Sequence, residues 1–242
     1  MDYDIAAYGE QRPDYDSMDW ALRHDQEEAS AFLAGLAPGG SALELGVGTG
    51  RVAFPLARRG LKVAGIEGSP TMAAQLEGKR DGESVEVLIG DFADVKVASA
   101  VDLIYCISET FFLLPSQESQ LRCIRNAAAR LTDRGRFVIQ ATVPDHALFC
   151  STQSTLTRNV GPQGAIVAAR RHDRAEQRVE VQNIVIRGRE NTFYPMHYRY
   201  VWPSELDLMA KLAGLDLVSR SGGWRDEPYT ASGSYVAVYG KN

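Results

Sequence analysis

The 242 residues carry a net charge of −5, with 45% of positions apolar and 24% charged. A chain of this size supports one domain with a substantial core; its acidic balance argues against nucleic acid as a partner, and no apolar run nears the roughly 20 residues that cross a bilayer. An acidic start, with Asp2, Asp4, Glu10 and Asp14, lacks the pattern of a secretory leader, and the scattered Cys106, Cys123 and Cys150 read as buried thiols, so a cytoplasmic protein is expected.

From Ser41 to Thr142, short apolar runs rich in branched residues alternate with amphipathic stretches, the pattern of a parallel sheet with helical crossovers. Strands are predicted at 42–45, 62–66, 85–89, 101–107 and 136–141, and helices at 51–59, 70–78 and 116–131. Ser69 and Pro115 mark helix starts. In the last helix Leu121, Ile124, Ala128 and Leu131 recur at helical spacing, while Arg122, Arg125 and Arg130 face water. After Pro144 the period changes. Residues 165–169, 179–186 and 193–201 read as antiparallel strands, followed by a helix at 203–212 that Gly214 stops and by closing strands at 215–219 and 235–239.

The segment Leu43-Glu44-Leu45-Gly46-Val47-Gly48-Thr49-Gly50-Arg51 is an apolar strand that ends in three alternating glycines before a helix. Such glycines let the chain turn sharply and let a nucleotide-like ligand approach bare backbone. A dinucleotide fingerprint requires a small residue where this chain has Arg51, which argues against NAD.

Glu44-x-Gly46-x-Gly48-x-Gly50 resembles the first motif of class I S-adenosylmethionine-dependent methyltransferases. The resemblance continues through Gly65-Ile66-Glu67-Gly68-Ser69, where the family uses an acid to hold both ribose hydroxyls, and Gly90-Asp91-Phe92, where an acid takes the adenine amino group and its neighbour flanks the ring. Asp102 to Ser108, including Cys106 and Ile107, resembles the fourth-strand motif that borders the methionine part and the acceptor. Met72 and Tyr15 complete the cofactor set that the resemblance implies. Specific motifs cover roughly residues 40–145. Further on, Arg199-Tyr200-x-Trp202-Pro203-x-Glu205 and Gly222-Gly223-Trp224 are similar to small-molecule methyltransferases with natural-product-like acceptors, in which an antiparallel extension covers the active site.

The expected fold is therefore α/β: a Rossmann-like, mostly parallel seven-stranded sheet with helices on both faces, and a small antiparallel extension after the fifth strand. One domain is expected, comprising an amino-terminal helical cover (1–40), a cofactor core (41–144), the extension over the active site (145–201) and a closing helix with strands (202–242). Tyr3, Tyr8, Tyr15 and Trp20 belong to the cover.

A sulfonium methyl is already electrophilic, so the protein must chiefly align an acceptor lone pair and exclude water. A hydroxyl acceptor benefits from a base, whereas an amine needs only to be neutral. The candidate catalytic residues are His146 just after the fifth strand, Glu109 after the fourth, and His197 on the extension, which strand alternation separates from Tyr198. Asp145 joins Glu109 as an acid suited to hold an amine. The arginines between 158 and 199 make the extension locally basic, which reads as the solvated face of an edge sheet. No paired His or Cys spacing suggests a metal. The expected activity is methyl transfer to O, N or C of a small-molecule acceptor by a monomer or homodimer. The other readings are a non-catalytic S-adenosylmethionine-binding protein and a protein or tRNA methyltransferase.

Overall fold

A computed structural model describes residues 5–10, 15–17, 25–79, 84–145, 151–162, 164–188 and 190–241. The branched apolar runs form strands β1 (Ser41–Leu45), β2 (Lys62–Glu67), β3 (Val85–Ile89), β4 (Val101–Cys106) and β5 (Leu131–Thr142). After them come β6 (Gln153–Gly161), β7 (Gly164–Asp173), β8 (Arg178–Arg187) and β9 (Glu190–Arg199), and then β10 (Leu215–Ser221) and β11 (Ser234–Lys241). The main sheet has the order β10-β11-β5-β4-β1-β2-β3. Only β11 runs against its neighbours.

Helices α1 (Gln26–Leu36), α2 (Ala53–Arg58), α3 (Pro70–Glu77), α4 (Gln117–Arg130) and α5 (Pro203–Leu212) cover that sheet. Strand alternation divides its side chains into two cores. Leu43, Leu45, Ile104, Cys106 and Phe137 pack with Cys123 and Ile124 of α4 and Leu206 and Met209 of α5. Ala42, Leu103, Tyr105 and Val138 pack with Leu33 of α1 and Phe54 and Leu56 of α2. Coverage on both faces is why the central strands β1 and β4 are buried along most of their length. No described helix is long and apolar enough to cross a membrane.

The Rossmann-like sheet agrees with expectation, and three local elements differ. Strand β5 begins at Leu131, straight after α4, because Leu131 pairs with Val101 ahead of a register shift; the polar run Thr132-Asp133-Arg134 hides that start. Strand β6 was not expected, since Leu156 is its one apolar side chain packed on the core. In α4 the buried stripe is Gln120, Cys123, Ile124, Ala127 and Ala128, with Leu121 at its margin.

Strands β6 to β9 form a separate antiparallel sheet in sequence order. Ala168, Val179, Val181, Met196 and Tyr198 on one face join the α4 and α5 core. The alternate positions Arg171, Glu180, Gln182 and His197 line a cleft of about 710 Å³. Arg199, 5% exposed, fixes the end of this sheet: Nη1 donates to Gln120 Oε1 (2.5 Å) and Nη2 to Glu205 Oε1 (2.8 Å), joining β9 to α4 and α5.

Candidate functional site

The loop between β1 and α2 folds as it does because its glycines occupy the left-handed region, with φ of +74° at Gly46 and +83° at Gly50. A Cβ at 46 would lie 2.3 Å from Thr110 Cγ2, and one at 50 would lie 2.6 Å from the Phe54 ring. Conformation and space therefore both require glycine. The Gly46 and Val47 amides donate to Ile66 O at 2.8 and 3.1 Å, pinning the loop to the end of β2.

Glu67 closes the other side. Its Oε2 accepts the Gly48 amide at 2.8 Å and its Oε1 the Ser69 amide at 2.9 Å, so one carboxylate ties the glycine loop to the start of α3. Burial holds this carboxyl above the usual range, opposed by the amides of Ser69, Gly48 and Gly68. The side chain of Met72 lies against the same loop, 3.6 Å from where a Cβ at 48 would sit. Asp91 caps the short turn after β3 by accepting the Ala93 amide (2.8 Å), and its other oxygen pairs with Arg122 at 3.0 Å. Phe92 is buried, and its ring lies 3.9 Å from the Cβ position at Gly46.

Below the loop, Glu44 is fully buried on β1 and accepts the Tyr105 hydroxyl at 2.9 Å. Burial pushes its pKa up to about 8, against the pull of the Tyr105 hydrogen bond and the Arg51 charge. Cys106 and Ile107 are likewise buried at the end of β4. Burial holds the Cys106 thiol well above its usual range.

The next two residues, Ser108 and Glu109, both have a φ of +58°. Successive left-handed residues other than glycine are strained and persist only where their surroundings over-determine them. Here the Ser108 amide donates to Gln140 Oε1 at 2.6 Å, Arg51 Nη2 donates to Ser108 Oγ at 2.9 Å, and Thr142 Oγ1 donates to Glu109 Oε1 at 2.5 Å. Arg51 Nη1 also reaches Asp25 Oδ1 at 2.5 Å, whose second oxygen accepts the Trp224 indole N–H at 2.9 Å.

The described amino-terminal residues lie across the loop. The Gly9 amide donates to Ser69 Oγ (3.1 Å), Ile5 packs on Gly68, and the Tyr8 and Tyr15 rings meet at a tilt of 59° with centres 6.1 Å apart. Asp16 accepts the Thr49 hydroxyl at 2.7 Å and pairs with Lys79.

The structure thus gathers Glu44, Gly46, Gly48, Gly50, Glu67, Gly68, Met72 and Phe92 around one loop, with Tyr15 beside Asp16 and Asp91 turned toward Arg122. Glu109 stands at the end of β4. His197 lies in the extension's cleft, paired in register with Glu180, and burial holds its pKa below the usual range. Asp145 is exposed at the end of a described segment, while His146, Tyr3, Trp20 and Cys150 lie outside the described residues. Sequence reasoning missed Asp16, Asp25, Gln140 and Thr142 as site residues, and used Arg51 only to argue against NAD. Gln140 alone carried a local signal, as a polar residue inside the apolar run Phe137-Val138-Ile139-Gln140-Ala141.

Comparison with known proteins agrees with this geometry. Residues 42–135 match the family model described as a methyltransferase domain. The chain is 31% identical over 203 residues to the cypemycin N-terminal methyltransferase of a Streptomyces species, covering 83% of this chain and 82% of that one. It superposes on the CcbJ methyltransferase from Streptomyces caelestis with a TM-score of 0.93 at 34% identity, covering 99% of both chains. A more distant neighbour is the S-adenosylmethionine-bound amino pentose methyltransferase from Micromonospora echinaspora involved in calicheamicin biosynthesis, with a TM-score of 0.68, 19% identity and 95% coverage of each chain.

Proposed function

Because the chain belongs to the S-adenosylmethionine-dependent methyltransferases of natural-product type, we propose that it methylates the nitrogen of an amine-bearing small molecule. The observation that carries this reading is Glu109, a carboxylate fixed by Thr142 on a strained corner at the end of β4. A carboxylate is suited to accept an N–H of an incoming amine and so direct the lone pair. The N-terminal methyltransferase among the similar proteins supports an amine over a hydroxyl.

The cradle fits the cofactor: bare backbone at Gly46 and Gly50, where a Cβ would collide, and an acid beyond β2. S-adenosylmethionine, when bound, supplies an electrophilic methyl carbon. Glu67 has lone pairs beyond those taken by the two amides and would accept the ribose hydroxyls. Asp91 and Phe92 would meet the adenine, and Tyr15 would close over the loop. Glu109 would hold the acceptor nitrogen, which loses a proton to solvent after transfer.

Formation of S-adenosylhomocysteine with an alanine-headed tripeptide amide or glucosamine, and not with catechol, is the expected result, with Glu109→Gln lowering kcat/KM for the amine at least tenfold. Turnover of catechol alone would overturn the amine reading; binding of S-adenosylmethionine without turnover of any of the three would favour a non-catalytic binding protein. Asp16 has a separate role at the cover. Asp16→Asn weakens its ties to Thr49 and Lys79 and is expected to weaken S-adenosylhomocysteine binding about three- to tenfold in calorimetry, equivalent to about 1 kcal/mol. An unchanged affinity would remove Asp16 from the cofactor site.

A further inference from the structure

We infer that Gln140 and Thr142 are positioning residues for methyl transfer: from β5 they hold the Ser108–Glu109 corner in its left-handed form and so aim the Glu109 carboxylate at the acceptor. The inference rests on the reading of Glu109 above and adds two residues that belong to neither the glycine loop nor the segment after β4.

The register explains how β5 reaches the corner. The last paired residues of β4 and β5 are Cys106 and Ile139, and β5 continues to Thr142. Gln140 and Thr142 are alternate residues, so their side chains share one face of the strand as it passes the corner. Gln140 is only 3% exposed, in a stretch where Val138, Ile139 and Ala141 are wholly buried. Burial alone is satisfied there by any apolar residue of similar size.

Gln140 is instead used at both ends. Its Oε1 accepts the Ser108 amide at 2.6 Å, and its Nε2 donates to Ser234 Oγ at 2.6 Å, which fixes the orientation of the amide group. Its backbone carbonyl accepts the Glu109 amide at 3.4 Å. Both strained residues therefore hand their N–H groups to Gln140. Thr142 Oγ1 then holds the Glu109 carboxylate at 2.5 Å. Arg51 fixes the remaining group, Ser108 Oγ, from the glycine loop. Backbone strain supported from separate elements in this way is the pattern of a preorganised site.

The test uses the full chain with S-adenosylmethionine and, as acceptors, the alanine-headed tripeptide amide and glucosamine. Thr142→Val keeps the side-chain shape and removes the donor, and Thr142→Ser restores it. The expected result for Thr142→Val is an acceptor KM raised about tenfold, kcat within threefold and S-adenosylhomocysteine affinity within twofold, with Thr142→Ser returning KM to within threefold of the unaltered protein. A purely structural threonine would not give that split or that rescue. Gln140→Met is expected to raise KM and lower kcat together, because it removes the acceptor of the Ser108 amide and the tie to Ser234, leaving the corner held only by the backbone bond to Glu109 and by Thr142 and Arg51. If Glu109→Gln impairs turnover while Thr142→Val and Gln140→Met do not, this inference is wrong and the reading of Glu109 stands. If Glu109→Gln leaves the kinetics unchanged, the reading of Glu109 fails, and this inference with it. Turnover of neither amine by the unaltered protein overturns both.

Discussion

Glu67→Ala is expected to weaken S-adenosylmethionine and S-adenosylhomocysteine binding by two to three orders of magnitude. The carboxylate is 8% exposed and accepts the amides of Gly48 and Ser69 at 2.8 and 2.9 Å. Its loss strands the Gly48 N–H within the loop and removes the acceptors proposed for both ribose hydroxyls. Hydrogen bonds to a charged group contribute about 1.5–3 kcal/mol each, and two at the lower part of that span, about 3–4 kcal/mol together, correspond to two to three orders of magnitude. Asp91→Ala is the internal comparison. The Asp91 side chain is 51% exposed, already paired with Arg122, and capping its own turn, so the effect is expected to stay below about tenfold. Calorimetric titration with both ligands checks the pair, and a Glu67→Ala affinity within threefold of the unaltered protein would exclude Glu67 from the cofactor site.

How much of this was legible in sequence depended on how local each signal is. Strand β3 lies at the predicted residues, 85–89, because the branched apolar residues Val85, Val87, Leu88 and Ile89 favour a strand even at the sheet edge, where Glu86 is exposed. Strand β6 has solvent on much of its length, and Ser154, Thr155 and Thr157 read as loop. The glycine loop and Glu67 were readable because each lies at the end of the apolar strand that carries it, β1 and β2 respectively, so its place follows from local sequence. Arg51, Asp25 and Trp224 were not, since Asp25 and Trp224 are 199 positions apart and meet only through tertiary packing. Glu109 was chosen for its place after β4, but the left-handed backbone that holds it depends on Gln140 and Thr142, more than 30 positions away. Alternation along β9 separated His197 from Tyr198, because consecutive strand residues face opposite ways whatever the fold around them.

Glu44 is expected to make the protein less stable as the pH rises from 5 to 8. Burial raises its folded-state pKa to about 8, while 4.5 is the unperturbed value that applies to the unfolded chain. Between those values the folded state binds the proton more tightly than the unfolded state, so the stabilisation is complete below pH 4.5 and is lost as pH rises through 8. At about 1.4 kcal/mol per pKa unit, the ceiling is about 5 kcal/mol, and relaxation of the site reduces it to a few. His172 and His197, whose pKa values burial lowers, act in the opposite direction as they charge on acidification, and Asp102 and Glu205 act only in more acid solution. The contribution of Glu44 is therefore isolated by difference. Glu44→Gln keeps a carbonyl for the Tyr105 hydroxyl and cannot ionise. In urea unfolding of both proteins from pH 5 to 8.5, the variant is expected to gain about 2–3 kcal/mol relative to the unaltered protein across the range, with most of the gain before pH 8. Parallel stability profiles would mean that Glu44 is already ionised at neutral pH, with Arg51 and Tyr105 compensating for its burial.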